Sequence, residues 1–259
     1  MQTVQINDKF QSLEGFVTEL PERFEKEGTY VYGGRRNLIK RFVSPDGQPI
    51  IVKRFGQKNP LNRLVYSLGI RKPKGQRAYE YPKILLDKGI DTPEAIAYVE
   101  ERDDHNLLGD SYLFSIECPY SHRLYELTED APEVYEPLAV ALADFTARMH
   151  DRQILHLDYS PGNILWEKDD KGYNFSVVDI NRMHFGPVDL NAGCKNFERL
   201  SAPESFFRTL AHEYALARGF DTNEAETLTI QYNQNFHKRC IAKQKAKSMR
   251  DAHSWLIFP

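Results

Sequence analysis

The chain has 259 residues, of which 41% are apolar and 27% charged, with a formal net charge of −3 at neutral pH. This length and apolar content suffice for a sizeable buried core, and no apolar run approaches the roughly 20 residues of a membrane span. The three cysteines, Cys118, Cys194 and Cys240, lack the number and spacing of a disulfide or zinc framework. The composition therefore excludes a disulfide-rich secreted protein and favours a reducing compartment. The amino terminus has no apolar signal-peptide core, so we expect a soluble or peripheral protein.

The amino-terminal part of the chain is predicted to form strands joined by tight turns. Two strands, near residues 29–32 and 38–43, flank the segment GGRRN. Gly33 and Gly34 suit any tight hairpin turn, so their pattern leaves open whether this turn also binds phosphate. The arginines that follow them either bind an anion or are simply solvated.

A further strand is predicted at residues 50–55, after the turn SPDG. Its alternation places Ile51, Lys53 and Phe55 on one face. A lysine between two large apolar neighbours on the same face is unusual for a solvated side chain. Lys53 is therefore a candidate functional residue.

An amphipathic helix is predicted at residues 136–150, because Leu138, Leu142, Phe145 and Met149 recur at helical spacing. Pro137 would suit its first turn. This helix leads directly into the most informative segment of the chain.

That segment reads H-x-D-x-x-x-x-N from His156, followed sixteen residues after the asparagine by Asp179. Asn163 precedes one apolar run and Asp179 follows a second, a pattern that predicts a β-hairpin with a longer loop. The outer ends of a hairpin are neighbours, so the amide and the carboxylate are expected to converge, with Asp158 in reach. Phosphoryl transfer from ATP needs these groups: a carboxylate to accept the proton of the attacking hydroxyl, and oxygen ligands for Mg²⁺.

Helix, H-x-D-x-x-x-x-N loop, strand, turn, strand and aspartate resemble the catalytic half of the protein kinases. The resemblance implies an α+β, two-lobed protein-kinase-like fold in a single domain over residues 1–259. A small β-rich N-lobe would cover about 25–117 and a larger, mainly helical C-lobe about 121–250. The segments KPKGQRAYEYPKILLDKGIDTPEAIAYVEER, SYLFSIECPY, ILHLDYSPGNILW, VVDINRM and KNFERL narrow the likeness. They resemble the bacterial lipopolysaccharide kinases of the Kdo/heptose kinase group, particularly forms found in Bacteroidetes, over roughly residues 25–240.

The resemblance implies roles for particular residues. Asp158 would be the catalytic base, Asn163 and Asp179 the magnesium ligands, and Lys53 with Glu80 would orient the phosphates of ATP. Glu80 lies two residues before Pro82, which would kink the expected helix or begin it. The nucleotide-binding set is completed by Gly33, Gly34, and the backbone of Glu117 and Cys118 in the interlobe hinge at 116–120.

Departures from the kinase pattern keep alternatives open. Asp179 is followed by Ile180 and Asn181 rather than Phe and Gly, so switching by an activation loop is not expected. The implied reaction is phosphorylation of a Kdo or heptose hydroxyl in the lipopolysaccharide inner core. The alternatives are a protein or small-molecule kinase, or a non-catalytic pseudokinase that binds nucleotide. His156 is expected to brace the catalytic loop by hydrogen bonds without taking part in the chemistry.

Charge is distributed unevenly along the chain. No acidic residue lies between Asp46 and Glu80, whereas several basic residues do, and a second basic run extends from Lys238 to Arg250 before the apolar residues 255–258. Such segments either contact an anionic membrane surface or form a solvated face. No nucleic-acid-binding module accompanies them. The resemblance implies ATP and a glycolipid as partners, for an enzyme that is cytoplasmic or peripheral on the inner membrane. The basic segments leave an anionic membrane surface open as a further partner.

Overall fold

The computed structural model describes residues 1–34, 37–56, 60–127 and 132–254, without the side chains of 132–134 and 250–254. The chain forms two compact units. The first consists of Met1–Pro119 and Ser176–Arg182, and the second of Tyr120–Phe175 and Met183–Pro259. In the described ranges, no helix is both long enough and apolar enough to cross a membrane.

The first unit is built on a six-stranded sheet with the order β1-β5-β6-β4-β3-β2. Every strand pair described in it is antiparallel. Its strands are β1 (Gln2–Ile6), β2 (Thr29–Gly34), β3 (Asn37–Val43), β4 (Pro49–Phe55), β5 (Ala95–Arg102) and β6 (Leu108–Ile116). Its helices are α1 (Glu14–Arg23), α2 (Pro60–Ser67) and α3 (Lys74–Asp87).

The core of the first unit lies between α1 and one face of the sheet. Val17 and Leu20 of α1 are fully buried and belong to the same apolar cluster as Ile50 and Val52 of β4. Because side chains alternate along a strand, Ile51 and Lys53 take the opposite face of β4. The predicted strand at 50–55 and its facing pattern are confirmed.

The second unit combines short strands with longer helices. Its strands are β7 (His122–Arg123), β8 (Ile154–His156), β9 (Ile164–Asp169), β10 (Gly172–Val177) and β11 (Met183–Phe185), of which β10 runs on into the first unit. They form a sheet of order β10-β9-β7 and the pair β11-β8. Its helices are α4 (Pro132–Asp151), α5 (Leu190–Asn196), α6 (Glu204–Arg218) and α7 (Thr222–Ser254).

Two sequence-based boundaries were wrong. Helix α4 begins at least four residues earlier than predicted, so Pro137 lies inside it rather than in the first turn of a helix starting at 136. The predicted β9–β10 hairpin is confirmed, but its turn is short, because β9 continues to Asp169 and β10 begins at Gly172. Asp169 accepts a hydrogen bond from the Lys171 amide at 2.7 Å, and Gly172 takes a φ of +126°, which permits the tight reversal.

Candidate active site

The segment that carries Asp179 is fixed to the first unit by hydrogen bonds to its backbone. Thr92 Oγ1 donates to the Val177 carbonyl at 2.7 Å, and the Val177 N–H donates to the Asp91 carbonyl at 3.1 Å. Ile180 is 4% exposed and Asn181 5% exposed. Buried neighbours on one side and backbone bonds on the other therefore leave the Asp179 backbone little freedom.

Lys53 and Asp179 form an ion pair on the first unit. Lys53 lies on β4 between Ile39 of β3 and Leu113 of β6 in the sheet register. Its Nζ is 2.6 Å from Asp179 Oδ1, and its side chain is only 13% exposed. The ammonium group also lies 5.1 Å from the centre of the Phe55 ring. A lysine so shielded from water requires a partner of opposite charge, and Asp179 supplies it.

The expected pair between Lys53 and Glu80 is not formed among the described residues. Glu80 instead accepts hydrogen bonds from Lys72 Nζ at 2.7 and 2.8 Å and from Gln76 Nε2 at 3.0 Å. Glu80 lies on α3 as expected, but its carboxylate is neutralised there by Lys72, which is only eight residues away along the chain. The predicted pairing of Lys53 with Glu80 was therefore wrong, and Lys53 instead pairs with Asp179.

Lys74 is close enough to Asp179, Arg77 and Arg182 for their charges to act on it. Burial, with the charge of Arg182, lowers the pKa of Lys74 below its ordinary value, while the Asp179 carboxylate opposes that shift and Arg77 adds to it. Lys74 and Arg77 belong to the basic stretch of the sequence between Asp46 and Glu80. Their position in the same electrostatic environment as Asp179 makes this part of the first unit positive, which favours polyanions such as nucleotide phosphates.

The other nucleotide-binding candidates lie at the β2–β3 tip and after β6. Gly33 has a φ of +100°, and a Cβ there would lie 2.1 Å from the Asn37 carbonyl oxygen, whereas Gly34 faces open space. Glu117 donates its N–H to the Pro49 carbonyl at 3.2 Å, so an adenine contact by Glu117 would use its carbonyl. Its carboxylate accepts from Arg41 Nε at 2.7 Å. The half-buried Cys118 follows, and Arg35 and Arg36 lie outside the described residues.

Asp158 and Asn163 lie together in one tightly bonded loop of the second unit. The Asp158 N–H donates to Nδ1 of the buried His156 at 3.1 Å, which is the bracing role expected of that histidine. Asn163 Nδ2 donates to the Asp158 carbonyl at 2.9 Å, and Asn163 N–H donates to Ser160 at the same distance. Because only the amide nitrogen can donate to a carbonyl, this bond fixes which way the Asn163 side chain points. Its Oδ1 makes no hydrogen bond to any described residue.

A network of hydrogen bonds between largely buried polar side chains is connected to the backbone of this loop. Asn196 Nδ2 donates to the His156 carbonyl at 2.8 Å, and Asn196 Oδ1 lies 3.1 Å from His150 Nε2. His150 Nδ1 lies 2.9 Å from Tyr214 Oη, which accepts a bond from Arg218. Since Asn196 Oδ1 can only accept, His150 carries its proton on Nε2 and accepts from Tyr214 at Nδ1. Burial lowers the pKa of His150 to about 3, so the ring is neutral.

An arginine that sequence reasoning did not assign lies against Asp158. Arg199 Nη1 is 2.8 Å from Asp158 Oδ1. Arg199 belongs to the segment KNFERL, which in the sequence already resembles the lipopolysaccharide kinases. Nothing in the sequence pattern indicated that it would pair with Asp158, 41 positions away.

The donor types suit magnesium better than a metal held by protein ligands alone. In the part of the chain that the structure describes, no group of three or more His, Cys, Asp or Glu side chains is placed to hold a metal ion. Mg²⁺ usually takes one or two carboxylates together with phosphate oxygens and water. The Asp179 carboxylate, one-third exposed, and the Asn163 amide oxygen are hard oxygen donors of this kind.

Comparison with solved structures defines the class of fold. The chain is similar to WaaP in complex with acyl carrier protein, with a TM-score of 0.58 and 15% identity over 91% of this chain and 98% of that one. A second similar structure is the MAP kinase LmaMPK10 from Leishmania major, with a TM-score of 0.42, 11% identity, and coverage of 86% and 87%. The fold is the expected α+β, two-lobed protein-kinase-like fold.

The family follows from the sequence match. The family model for the lipopolysaccharide kinase (Kdo/WaaP) family matches residues 51–208, which is more than half of the chain. No curated protein matches the sequence. The chain therefore belongs to the lipopolysaccharide kinase (Kdo/WaaP) family, and the resemblance drawn from its motifs is confirmed.

Proposed function

We propose that this protein is an ATP- and Mg²⁺-dependent phosphotransferase that phosphorylates a sugar hydroxyl, of Kdo or heptose, in the lipopolysaccharide inner core. The observation that carries the proposal is the Lys53–Asp179 ion pair at 2.6 Å. It joins a shielded sheet lysine to the carboxylate that follows the β9–β10 hairpin, within a chain whose family consists of kinases. These are the two charges that phosphate and metal binding require of this fold.

The proposed role of each residue follows from the chemistry of its side chain or backbone. Asp158 accepts the proton of the acceptor hydroxyl, and the Lys53 ammonium binds phosphate oxygens. Asn163 Oδ1 and the Asp179 carboxylate would hold Mg²⁺, which neutralises charge on the phosphates when bound. Gly33 and Gly34 approach the nucleotide as the turn at the β2–β3 tip, and the backbone of Glu117 and Cys118 contacts the adenine. Glu80 would act only through Lys72 in the arrangement seen.

The alternatives differ in acceptor or in chemistry. A protein or small-molecule kinase would use the same residues on another hydroxyl, because a fold and a catalytic set do not define the acceptor. A pseudokinase would bind nucleotide without transfer. The presence of all four of Lys53, Asp158, Asn163 and Asp179 favours catalysis over the pseudokinase.

A pair of variants tests the mechanism. Asp158→Ala should lower transfer to a small residual rate and leave Mg²⁺-dependent ATP binding nearly intact, because the base contacts the acceptor and not the nucleotide. Asp179→Asn should weaken both transfer and Mg²⁺-dependent ATP binding, because it removes a charged metal ligand. Binding is measured by calorimetry with and without Mg²⁺, and transfer with labelled ATP. Unchanged turnover in Asp158→Ala, or unchanged Mg²⁺-dependent affinity in Asp179→Asn, would contradict the assigned roles.

The acceptor is tested separately. Purified protein is incubated with labelled ATP and either a Kdo–lipid A precursor or a protein extract. Label in the glycolipid alone supports the inner-core sugar as the acceptor. Label in protein alone would replace it with a protein kinase activity, and ATP binding without label in either would favour the pseudokinase.

We also propose that the protein works in the cytoplasm at an anionic membrane surface, where a lipid-anchored acceptor lies. Helix α2 is held to the first unit by the buried Tyr66 and by Arg63, whose Nη2 pairs with Asp103 at 2.5 Å. On its opposite face, Leu61 and Leu64 are 71% and 46% exposed. Exposed leucines beside an uninterrupted basic segment suit the interface of an anionic bilayer. The second basic run lies on the exposed end of α7, while Lys58 and residues 255–258 lie outside the described residues.

A further inference from the structure

The carboxylate of the proposed base forms an ion pair with an arginine from a distant segment. Arg199 Nη1 donates to Asp158 Oδ1 at 2.8 Å. Both side chains are partly shielded from water, Asp158 being 24% and Arg199 36% exposed. An ion pair at this degree of exposure is weaker than a buried one, but it is directional, because the guanidinium is planar and its N–H groups have fixed orientations.

The segment that carries Arg199 is itself held rigidly. Its neighbours Phe197 and Leu200 are buried, and helix α7 is hydrogen-bonded to the backbone of this segment. Asn233 Nδ2 of α7 donates to the carbonyls of Glu198 at 3.2 Å and Leu200 at 2.8 Å. The guanidinium of Arg199 also lies 5.4 Å from the centre of the Phe236 ring. The arginine is thus fixed at its backbone and stacked at its tip, so it can hold another group in place at little entropic cost.

We propose that Arg199 is a positioning residue for the catalytic base, holding the Asp158 carboxylate in the orientation that accepts the proton. The inference rests on the proposed function. In the transfer step, the acceptor oxygen bonds to the γ-phosphorus as the bond from that phosphorus to the bridging oxygen of ADP breaks. The hydroxyl proton passes to Asp158, and Arg199 keeps all its protons. A base must come within about 2.6–3.2 Å of the hydroxyl oxygen, and a misplacement of about 1 Å can cost a hundredfold in rate.

Arg199→Met tests the inference, with Arg239→Met as its matched control. Arg239 stacks on the same Phe236 ring, at 6.0 Å, and pairs with Glu198 at 2.9 Å, but it is not bonded to Asp158. We expect kcat to fall between about tenfold and a hundredfold in Arg199→Met. KM for ATP and the melting temperature should stay near wild type. With the acceptor dispersed in detergent, where membrane binding by the basic run of α7 has no effect, Arg239→Met should keep the wild-type kcat. Arg199→Lys should recover part of kcat, because it restores the charge without the planar fork.

A double variant separates positioning from other roles. If Arg199 acts through Asp158, then adding Arg199→Met to Asp158→Ala should cause no further loss of the residual transfer rate. A wild-type kcat in Arg199→Met would overturn the inference, as would a further loss in the double variant. A rise in KM for the Kdo–lipid A precursor at unchanged kcat would also overturn it, because Arg199 would then bind the acceptor. If Arg199→Met does not fold, the test rests on Arg199→Lys. Wild-type kcat in Arg199→Lys would overturn the inference, because a lysine cannot reproduce the position and geometry of the guanidinium. Turnover retained in Asp158→Ala alone would instead refute the assigned base, and with it the proposed mechanism.

Discussion

Asp179 combines a left-handed backbone conformation with hydrogen bonds from the side chains of Lys53 and Asn181. Its φ of +56° lies in the left-handed region, which aspartate tolerates better than most residues. Lys53 and Asn181 Nδ2 both donate to its Oδ1, and Asn181 also reaches its carbonyl at 3.4 Å. The departure from Phe and Gly after this aspartate, visible in the sequence, therefore supplies an amide that orients the carboxylate.

His150 gives the protein a measurable dependence of stability on pH. Burial lowers its pKa from the ordinary 6.5 to about 3 in the folded state. As pH falls below 6.5, the unfolded chain takes up a proton that the folded chain refuses until about pH 3, so stability is lost over that window. This residue should contribute a loss of about 2 kcal/mol between about pH 7.5 and about pH 5. The free energy of unfolding of wild type should therefore fall more steeply over this range than that of His150→Gln.

The titration of the ring provides a direct check of this prediction. In a pH series of NMR spectra of the folded protein, the His150 signals should keep the shifts of a neutral ring down to about pH 4. Equal slopes of stability against pH in wild type and His150→Gln, or protonation of the folded-state ring near pH 6, would show that burial does not control this histidine.

Helix α3 continues through Pro82, although a proline usually ends or kinks a helix. Pro82 lies inside the helix and is buried, although it removes one backbone hydrogen bond at a cost of about 3 kcal/mol. Ala78 and Leu85 are buried on either side of it. The apolar area that α3 buries against the sheet offsets the lost bond, so the helix neither begins nor ends at the proline.

The hairpin tip between β2 and β3 is expected to tolerate one glycine substitution and not the other. Gly33→Ala should destabilise the protein by about 1–3 kcal/mol, because φ is positive there and the new Cβ would meet the Asn37 backbone. Gly34→Ala, at a position with open space, should stay within about 0.5 kcal/mol of wild type. Chemical denaturation measures both. Similar losses in the two variants would mean that the turn does not have the described conformation.

At the scale of the whole molecule, membrane association should be peripheral and sensitive to salt. Binding to anionic liposomes should disappear at about 1 M salt, where the Debye length is about 3 Å. Replacing Lys243, Lys245 and Lys247 on α7 with glutamine should mimic salt, at about 1 kcal/mol of binding free energy per charge. Leu61→Ser with Leu64→Ser should weaken binding at each salt concentration at which the wild type binds, because insertion of apolar groups is not screened.

Leu216→Ser is the control for these changes. Leu216 is 58% exposed on α6, away from both basic segments in the sequence, so the variant should sediment with anionic liposomes as wild type does. Equal sedimentation of wild type with neutral and anionic vesicles at low salt would show that the basic segments form a solvated surface and do not bind the membrane. That result would not affect the catalytic proposal.

Most of the elements around the site could be predicted from the sequence because each has a local signature. The pairing of β2 with β3, the alternation of β4, the helical spacing of α4 and the β9–β10 hairpin are all confirmed. Their boundaries were less accurate at Pro132 and Gly172. Helix α4 begins before Pro137, a residue that usually lies in the first turn, because packing compensates for a proline inside the helix. Strand β10 begins already at Gly172, because glycine permits the positive φ of a tight turn.

The local hydrogen bonds of the loop from His156 to Asn163 were determined by its own sequence. Its bonds join residues two, three and five positions apart, so the same short segment contains both the reactive groups and the contacts that shape the loop. The partners of the charged groups were decided only by tertiary structure. Lys53 meets a carboxylate 126 residues away, and Arg199 a carboxylate 41 residues away, while Glu80 binds Lys72. Many acids and bases are compatible with one spacing pattern, and packing selects among them because a shielded charge must lie beside its opposite.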